Sequence, residues 1–337
     1  MTAVLPFTTI RVMLRLHRPA LYVWAGVFLV AGALLLWLYG PLTDAAASGW
    51  RQWNACSTPV CAYDQDAILT YKSLSQYMSI AVNVVPLLVA AWAGASLTGR
   101  EMETGTAQLA WTQSLSPARW LAVRLAVPAA LVTAGTSVLV LLHNLVWSKG
   151  RGKIDNAKSW TDLLTFHANG TTTVAFALFA LAVGALAGLV LRRSLASLAV
   201  TVAATGAVWG AVSLARPYLW PPVTTVTGLT GNGPNPGLTL ETGLLTASGA
   251  RIPNPNCGSS EFAECRDLYD RLGAVSYYAD GHPFSHYWPL QLSATALVLA
   301  LAAVAVLAAF RLLKRHTGGA PVVTAVVTPV VIAKEPA

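Results

Sequence analysis

Few side chains in this sequence are of types that do chemistry, and their spacing limits what they can do. Four cysteines, Cys56, Cys61, Cys257 and Cys265, fall in two close-set pairs. On an oxidising side of a membrane such pairs form disulfides, and Cys56–Cys61 with Cys257–Cys265 is the simplest connectivity. A zinc site is the competing use, but paired CxxC spacing is absent. His282 and His286 stand four residues apart beside Asp280 and could share a metal on one helix face. Pro283 interrupts that segment, and no HExxH glutamate accompanies it. Gly150-Arg151-Gly152-Lys153 runs into Ile154 and lacks the upstream glycine of a phosphate loop, so the chain does not itself cradle ATP. No catalytic residue, metal or cofactor is expected on this chain. What remains is the polar run Arg100, Glu101, Glu103, Thr104, Gly105 and Thr106, with Arg119 downstream. Its chemistry is that of a contact surface.

The elements that must position these groups follow from composition. Of 337 residues 55% are hydrophobic and 11% charged, where soluble domains carry about 25% charged residues. Lipid is the natural solvent for such a chain. A spanning helix needs about 20 apolar residues. Six windows free of Asp, Glu, Lys and Arg are long enough, giving helical cores at 20–39, 77–98, 122–146, 171–191, 194–214 and 289–310, the third taking in Arg124 at its boundary. Tyr22, Trp24, Trp37, Tyr39, Trp120, Trp147, Tyr287 and Trp288 stand near their edges, as an aromatic belt does. The expected fold is an all-α membrane protein, a six-transmembrane-helix bundle. Gly184 and Gly188 form a GxxxG suited to close helix contact. No membrane core holds Asp or Glu, which argues against an ion-driven carrier. Asn83, His143 and Asn144 are the intramembrane polar groups, with His143 and Asn144 expected in a satisfied interfacial role. Asn169-Gly170-Thr171 fits a glycosylation sequon, a pattern too short to carry weight.

The net charge of +8 is read by side of the bilayer and not as nucleic-acid affinity. With the N-terminus cytoplasmic, Arg11, Arg15, Arg18, Arg100, Arg119, Arg124, Arg192, Arg193, Arg311, Lys314, Arg315 and Lys334 lie inside. Their only acidic company is Glu101, Glu103 and Glu335. Lys149, Arg151, Lys153 and Lys158 fall outside and argue the other way. The shorter inside segments are the denser in positive charge, and all four cysteines fall outside, which favours both termini cytoplasmic in an inner membrane. The first apolar stretch exceeds a signal-peptide core and is read as a retained anchor.

Between the spans, residues 1–18 carry Arg11, Arg15 and Arg18 opposite Phe7, Ile10, Met13 and Leu14, the pattern of an N-terminal amphipathic interfacial helix. An ordinary positive flank before a first span explains the same residues. Residues 19–316 form the six-span transmembrane region, with a large external loop, 216–287, between helices 5 and 6. That loop opens with Pro217, Pro221, Pro222, Pro234, Pro236, Pro253 and Pro255 and then turns helical. Ser259 or Ser260 caps a helix whose Phe262, Cys265, Leu268 and Leu272 share a face. Residues 317–337 are expected to be a flexible cytoplasmic tail.

The segment 99–124 carries a resemblance. Glu103-Thr104-Gly105-Thr106, Leu109, Thr112, Ser114-Leu115-Ser116, Arg119 and Arg124 are similar to the loop between spans two and three of the type-2 ABC permeases. It departs from them in having Gln113-Ser114 where a proline is common, with the proline displaced to Pro117. The six spans and the large loop before the last resemble that family too. The resemblance implies an exporter subunit that works with a separate ABC ATPase subunit. It implies a homodimer or a heterodimer with a second permease. The short helix after Thr104 would be the coupling helix, with Glu101 and Glu103 at its positively polarised N-terminus. Two rival classes stand beside it: a membrane scaffold or sensor whose external loops bind a partner, and a metalloenzyme using His282 and His286.

Overall fold

The computed structural model describes residues 18–57, 60–112, 116–154, 157–229, 233–255 and 262–317. The expected interfacial helix, apart from Arg18, and the tail after Thr317 lie outside these residues.

Six helices among them are long and apolar enough to cross a membrane. The first is built in two parts. Helix α1 (Arg18–Trp37) passes through a kinked turn at Leu38–Leu42 into α2 (Thr43–Asn54). Pro41 brings no amide hydrogen to the ladder, and Gly40 leaves helical geometry at φ −86°, ψ −106°. The Leu38 carbonyl is taken up by the Thr43 backbone amide and by the Thr43 hydroxyl at 2.5 Å. Lys149, at the end of the third span, donates to the Tyr39 carbonyl at 2.8 Å and pairs with Asp44 at 2.8 Å, pinning the kink.

Helix α3 (Gln65–Glu103) starts at Asp64, whose carboxylate caps the Ala67 amide at 3.0 Å. Its 39 residues reach about 58 Å, well beyond the ~30 Å hydrocarbon core, so both ends project past the bilayer. The short α4 (Thr106–Thr112) follows, then α5 (Pro117–Gly150), the buried turn α6 (Leu163–Ala168), α7 (Thr172–Leu191) and α8 (Ser194–Ala215). Arg192, in left-handed conformation at φ 53°, makes the tight hairpin between α7 and α8. Helix α10 (Tyr287–Thr317) closes the bundle.

Helix α7 is the central one: 67% of its most apolar window is buried, against 44% or less in the other five. It packs backbone to backbone on α3. A Cβ on Gly94 would stand 2.3 Å from the Leu181 carbonyl oxygen, and one on Gly184 2.8 Å from the Ala95 nitrogen. Thr98 donates its hydroxyl across this seam to the Ala185 carbonyl at 3.1 Å. The GxxxG at Gly184 and Gly188 therefore serves close helix packing. Outward-facing residues such as Leu29, Val30, Leu195, Leu214 and Val304 are exposed and apolar, as lipid contact requires.

The all-α expectation holds for the bundle and fails between spans five and six. That segment folds into a four-stranded antiparallel sheet of order β1-β4-β2-β3. Its strands are β1 (Val223–Gly228), β2 (Leu238–Thr246), β3 (Arg251–Pro253) and β4 (Ala274–His282), with α9 (Phe262–Arg271) between β3 and β4. The β-branched run from Val223 to Thr227 and the apolar residues of β2 form strands. The prolines sit in turns and strand ends. Leu244, Cys265, Tyr269 and Ala274 make the small core beneath α9. Leu272 falls past the helix end and is exposed, so it does not share the buried face of Cys265.

Candidate functional site

The polar run after the second span is placed by the end of α3. That helix continues through Glu103, so Glu101 and Glu103 lie in its last turn and not at the N-terminus of the short helix. Carboxylates are disfavoured at a helix C-terminus, and each finds compensation elsewhere. Glu101 accepts from Trp120 Nε1 at 3.0 Å and from Arg124 Nε at 2.9 Å, and a second Arg124 nitrogen closes a bidentate ion pair. Arg124 also lies over the Trp120 ring at 4.9 Å. Glu103 accepts from the Ser194 amide at 3.4 Å, at the N-terminus of α8, where its charge is favoured.

Gly105 ends the turn at φ +73° with open space around its Cβ direction, so its conformation, not crowding, calls for glycine. The Thr104 hydroxyl donates to the Arg100 carbonyl at 2.9 Å and meets the Thr106 hydroxyl at 3.0 Å. Helix α4 then lies on the end of the bundle. Ala107 is fully buried in a cluster with Trp120, Leu121, Leu189, Ala309 and Leu313, and Trp111 meets Trp120 edge-on at 5.6 Å. Gln108, Leu109 and Thr112 face away, with Leu109 61% exposed. Arg100 and Arg119 are exposed beside them. The structure thus gathers the seven residues at one end of the bundle, with Glu101 turned inward to Trp120 and Arg124.

Cys56, Cys61 and Cys265 sit at the opposite end of the bundle. Cys56 and Cys61 are disulfide-bonded across the connection from α2 to α3. Cys265 is also disulfide-bonded, while its expected partner Cys257 lies outside the described residues. At this end too, His282 and His286 are not on one helix: His282 ends β4 and His286 follows Pro283 in a turn. Their Nδ1 atoms meet at 3.1 Å, and His282 Nε2 donates to the Pro217 carbonyl at 2.8 Å. A carbonyl only accepts, so in the neutral ring Nδ1 is the lone pair and His286 is the donor between them. Among the described residues no group of three or more His, Cys, Asp or Glu is placed to hold a metal ion.

A second polar centre was only partly visible in the sequence. The connection from α5 to α7 dips into the bundle, and three spans hold it there. Asn83 on α3 donates to the Leu164 carbonyl at 2.9 Å, and Gln291 on α10 to the Phe166 carbonyl at 2.5 Å. His143 on α5 meets Asn169 at 2.6 Å and Ser79 at 2.9 Å. Asn83 and His143 are buried and hydrogen-bonded, and Asn144 donates to the Asn169 carbonyl at 3.3 Å, so these polar groups are satisfied as expected. Asn169 is buried too, which rules its sequon out as a surface acceptor. A signal that could have found this turn is Asp162 three residues before Thr165, whose carboxylate accepts from the Thr165 amide at 3.0 Å and caps the short helix.

Fold and site together define a multi-pass membrane protein that presents a short helix at one end of its bundle and a folded sheet at the other. The ABC-2 membrane transporter related family matches residues 25–216, more than half of the chain. The chain belongs to this family and is a membrane permease component. No curated protein and no solved structure matches it.

Proposed function

We propose that this chain is the membrane-spanning subunit of an ABC exporter, driven by ATP hydrolysed on a separate ATPase subunit. The observation that carries the reading is that Glu101, Arg124 and Trp120 clamp the end of α3 to the start of α5, while α4 packs beside that clamp through Ala107 and Trp111. A helix held on one face by Ala107 and offering Gln108, Leu109 and Thr112 on the other can transmit a push to the spans beneath it. Exposed Arg192, Arg193, Arg311, Lys314 and Arg315 share that end of the bundle. This concentration of positive charge, with the disulfides at the far end, supports a cytoplasmic placement of α4 and of both termini. In the same orientation the sheet between α8 and α10 caps the outer face. Two such bundles, identical or related, would flank a central route, each engaging one ATPase.

The test is to purify the tagged chain from membranes with its ABC ATPase and measure ATP hydrolysis of the complex. Leu109→Asp is expected to abolish capture of the ATPase while leaving the chain folded, since Leu109 makes no part of the bundle core. A complex that forms and hydrolyses ATP as before would overturn the assignment.

A further inference from the structure

A pocket of about 470 Å³ opens where the fifth span meets the sheet, lined by Tyr218, Trp220, Pro221, Pro222, Glu241 and Asp280 among others. Its volume is that of a small-molecule site. Its lining is aromatic and proline-rich on one side and acidic on the other, and none of the lining residues is basic.

The acidic side is set by the sheet register. Glu241 on β2 lies directly opposite Asp280 on β4, so the two carboxylates share a face. Like charges in that relation repel. One arginine answers two acids: Arg251 pairs with Asp280 at 2.6 Å and lies over the Tyr278 ring at 4.5 Å. Glu241 accepts from the Tyr278 hydroxyl at 2.8 Å and has no cation within ion-pair distance among the described residues. The aromatic side is held in place before any ligand arrives. Pro217, Pro221 and Pro222 fix the backbone around Tyr218 and Trp220, and His282 ties the turn down through the Pro217 carbonyl. Tyr218 is 79% and Trp220 42% exposed, so their ring faces are open to a ligand.

We infer that this pocket binds an organic ammonium ion, with Glu241 as its counter-charge and the Trp220 and Tyr218 rings as its walls. A desolvated ammonium gains from both a carboxylate and an aromatic face. Tyr218 ends the fifth span, so the ammonium could belong to a lipid headgroup or to a free amine. The site stands on its own geometry and does not require the transport reading.

Calorimetric titration of the full chain in phosphatidylglycerol nanodiscs tests this, using phenethylammonium and its neutral analogue phenethyl alcohol. Saturable binding of the amine alone is expected, weakened about tenfold by Glu241→Gln and similarly by Trp220→Ala. Glu241→Gln keeps an acceptor for Tyr278, and circular dichroism of both variants checks that they fold. Repeating the titration with phosphatidylethanolamine in the nanodisc separates the sources. Competition by the lipid assigns the site to a headgroup, and unchanged binding assigns it to a free amine. Equal binding of the alcohol, full affinity in both variants, or saturable binding of Ca²⁺ with none of the amine would overturn the assignment.

Discussion

Glu101 and Arg124 join the end of one membrane-crossing helix to the start of the next through a bidentate ion pair, with both side chains less than one-fifth exposed. The Trp120 indole donates to the same carboxylate, so a single acid gathers three donors from α5. Removing it takes the carboxylate partner from a largely buried guanidinium, and breaking such a pair costs roughly 3 kcal/mol. Glu101→Ala should lower the unfolding temperature of the purified chain in detergent. Glu101→Gln, which can still accept from Trp120, should cost less. A double-mutant cycle with Arg124→Ala should show strong coupling, whereas additive losses would mean the pair contributes little.

The seam between α3 and α7 makes a sharper steric statement. A methyl group on Gly94 would meet the Leu181 backbone oxygen at 2.3 Å, and backbone cannot step aside as a side-chain tip can. Gly94→Ala should therefore destabilise by about 2 kcal/mol or more through overpacking. Gly206→Ala, on α8 with nothing within 4 Å of the added carbon, should be neutral or slightly stabilising, because alanine is the better helix former. Thermal unfolding of the two variants side by side checks this, and equal losses would contradict the packing.

The spans were legible because a charge-free window of that length has one comfortable solvent. Less legible was where each helix stops. Asp44 and Arg51 close the first window, yet the backbone stays helical to Asn54, because a helix leaving the membrane loses its apolar requirement but not its hydrogen bonds. The sheet was obscured by its prolines, although Val223 to Thr227 is a β-branched run and Leu238, Leu240 and Thr242 alternate with polar or small residues. Glu101 and Glu103 were expected at the start of the short helix, and they lie instead in the last turn of α3. Their partners were not legible, since Arg124 and Ser194 are distant in sequence and meet them only after the helices pack. The dip of α6 into the bundle was hidden for the same reason, its bonds coming from Asn83, His143 and Gln291 on three different spans.

The sheet should lose stability at both extremes of pH. Hydrogen bonds from Thr224 and Arg251 hold the Asp280 carboxyl below its ordinary value. Its contribution is present above the unfolded value of about 3.9 and is lost as pH falls through the lower folded value. Burial, and the contact with Tyr269, push the Tyr277 phenol up to about 12. Its contribution is complete below the unfolded value of about 10 and is lost as pH rises through about 12. Hydrogen exchange of peptides from 223–282, corrected for intrinsic rates, should show protection falling at each end. Asp280→Asn should remove the acid-side change attributable to this residue and leave the alkaline one.

The disulfide between Cys56 and Cys61 offers a direct reading of orientation, because it lies at the opposite end of the bundle from Glu101 and Arg119. In sealed right-side-out membrane vesicles, a membrane-impermeant maleimide should leave these two cysteines unlabelled until an impermeant reductant is added to the outside. Labelling after reduction is then expected at Cys56 and Cys61. A cysteine placed at Leu109, on the exposed face of α4, should react only when the vesicles are opened or inverted. The two sites thus report opposite sides in one preparation, and vesicle leakage would reveal itself by labelling both. Labelling of Leu109→Cys from outside in intact vesicles, with Cys56 and Cys61 protected, would place α4 away from cytoplasmic ATP. The motor-driven reading would then fall, while the six-span bundle and its sheet would stand.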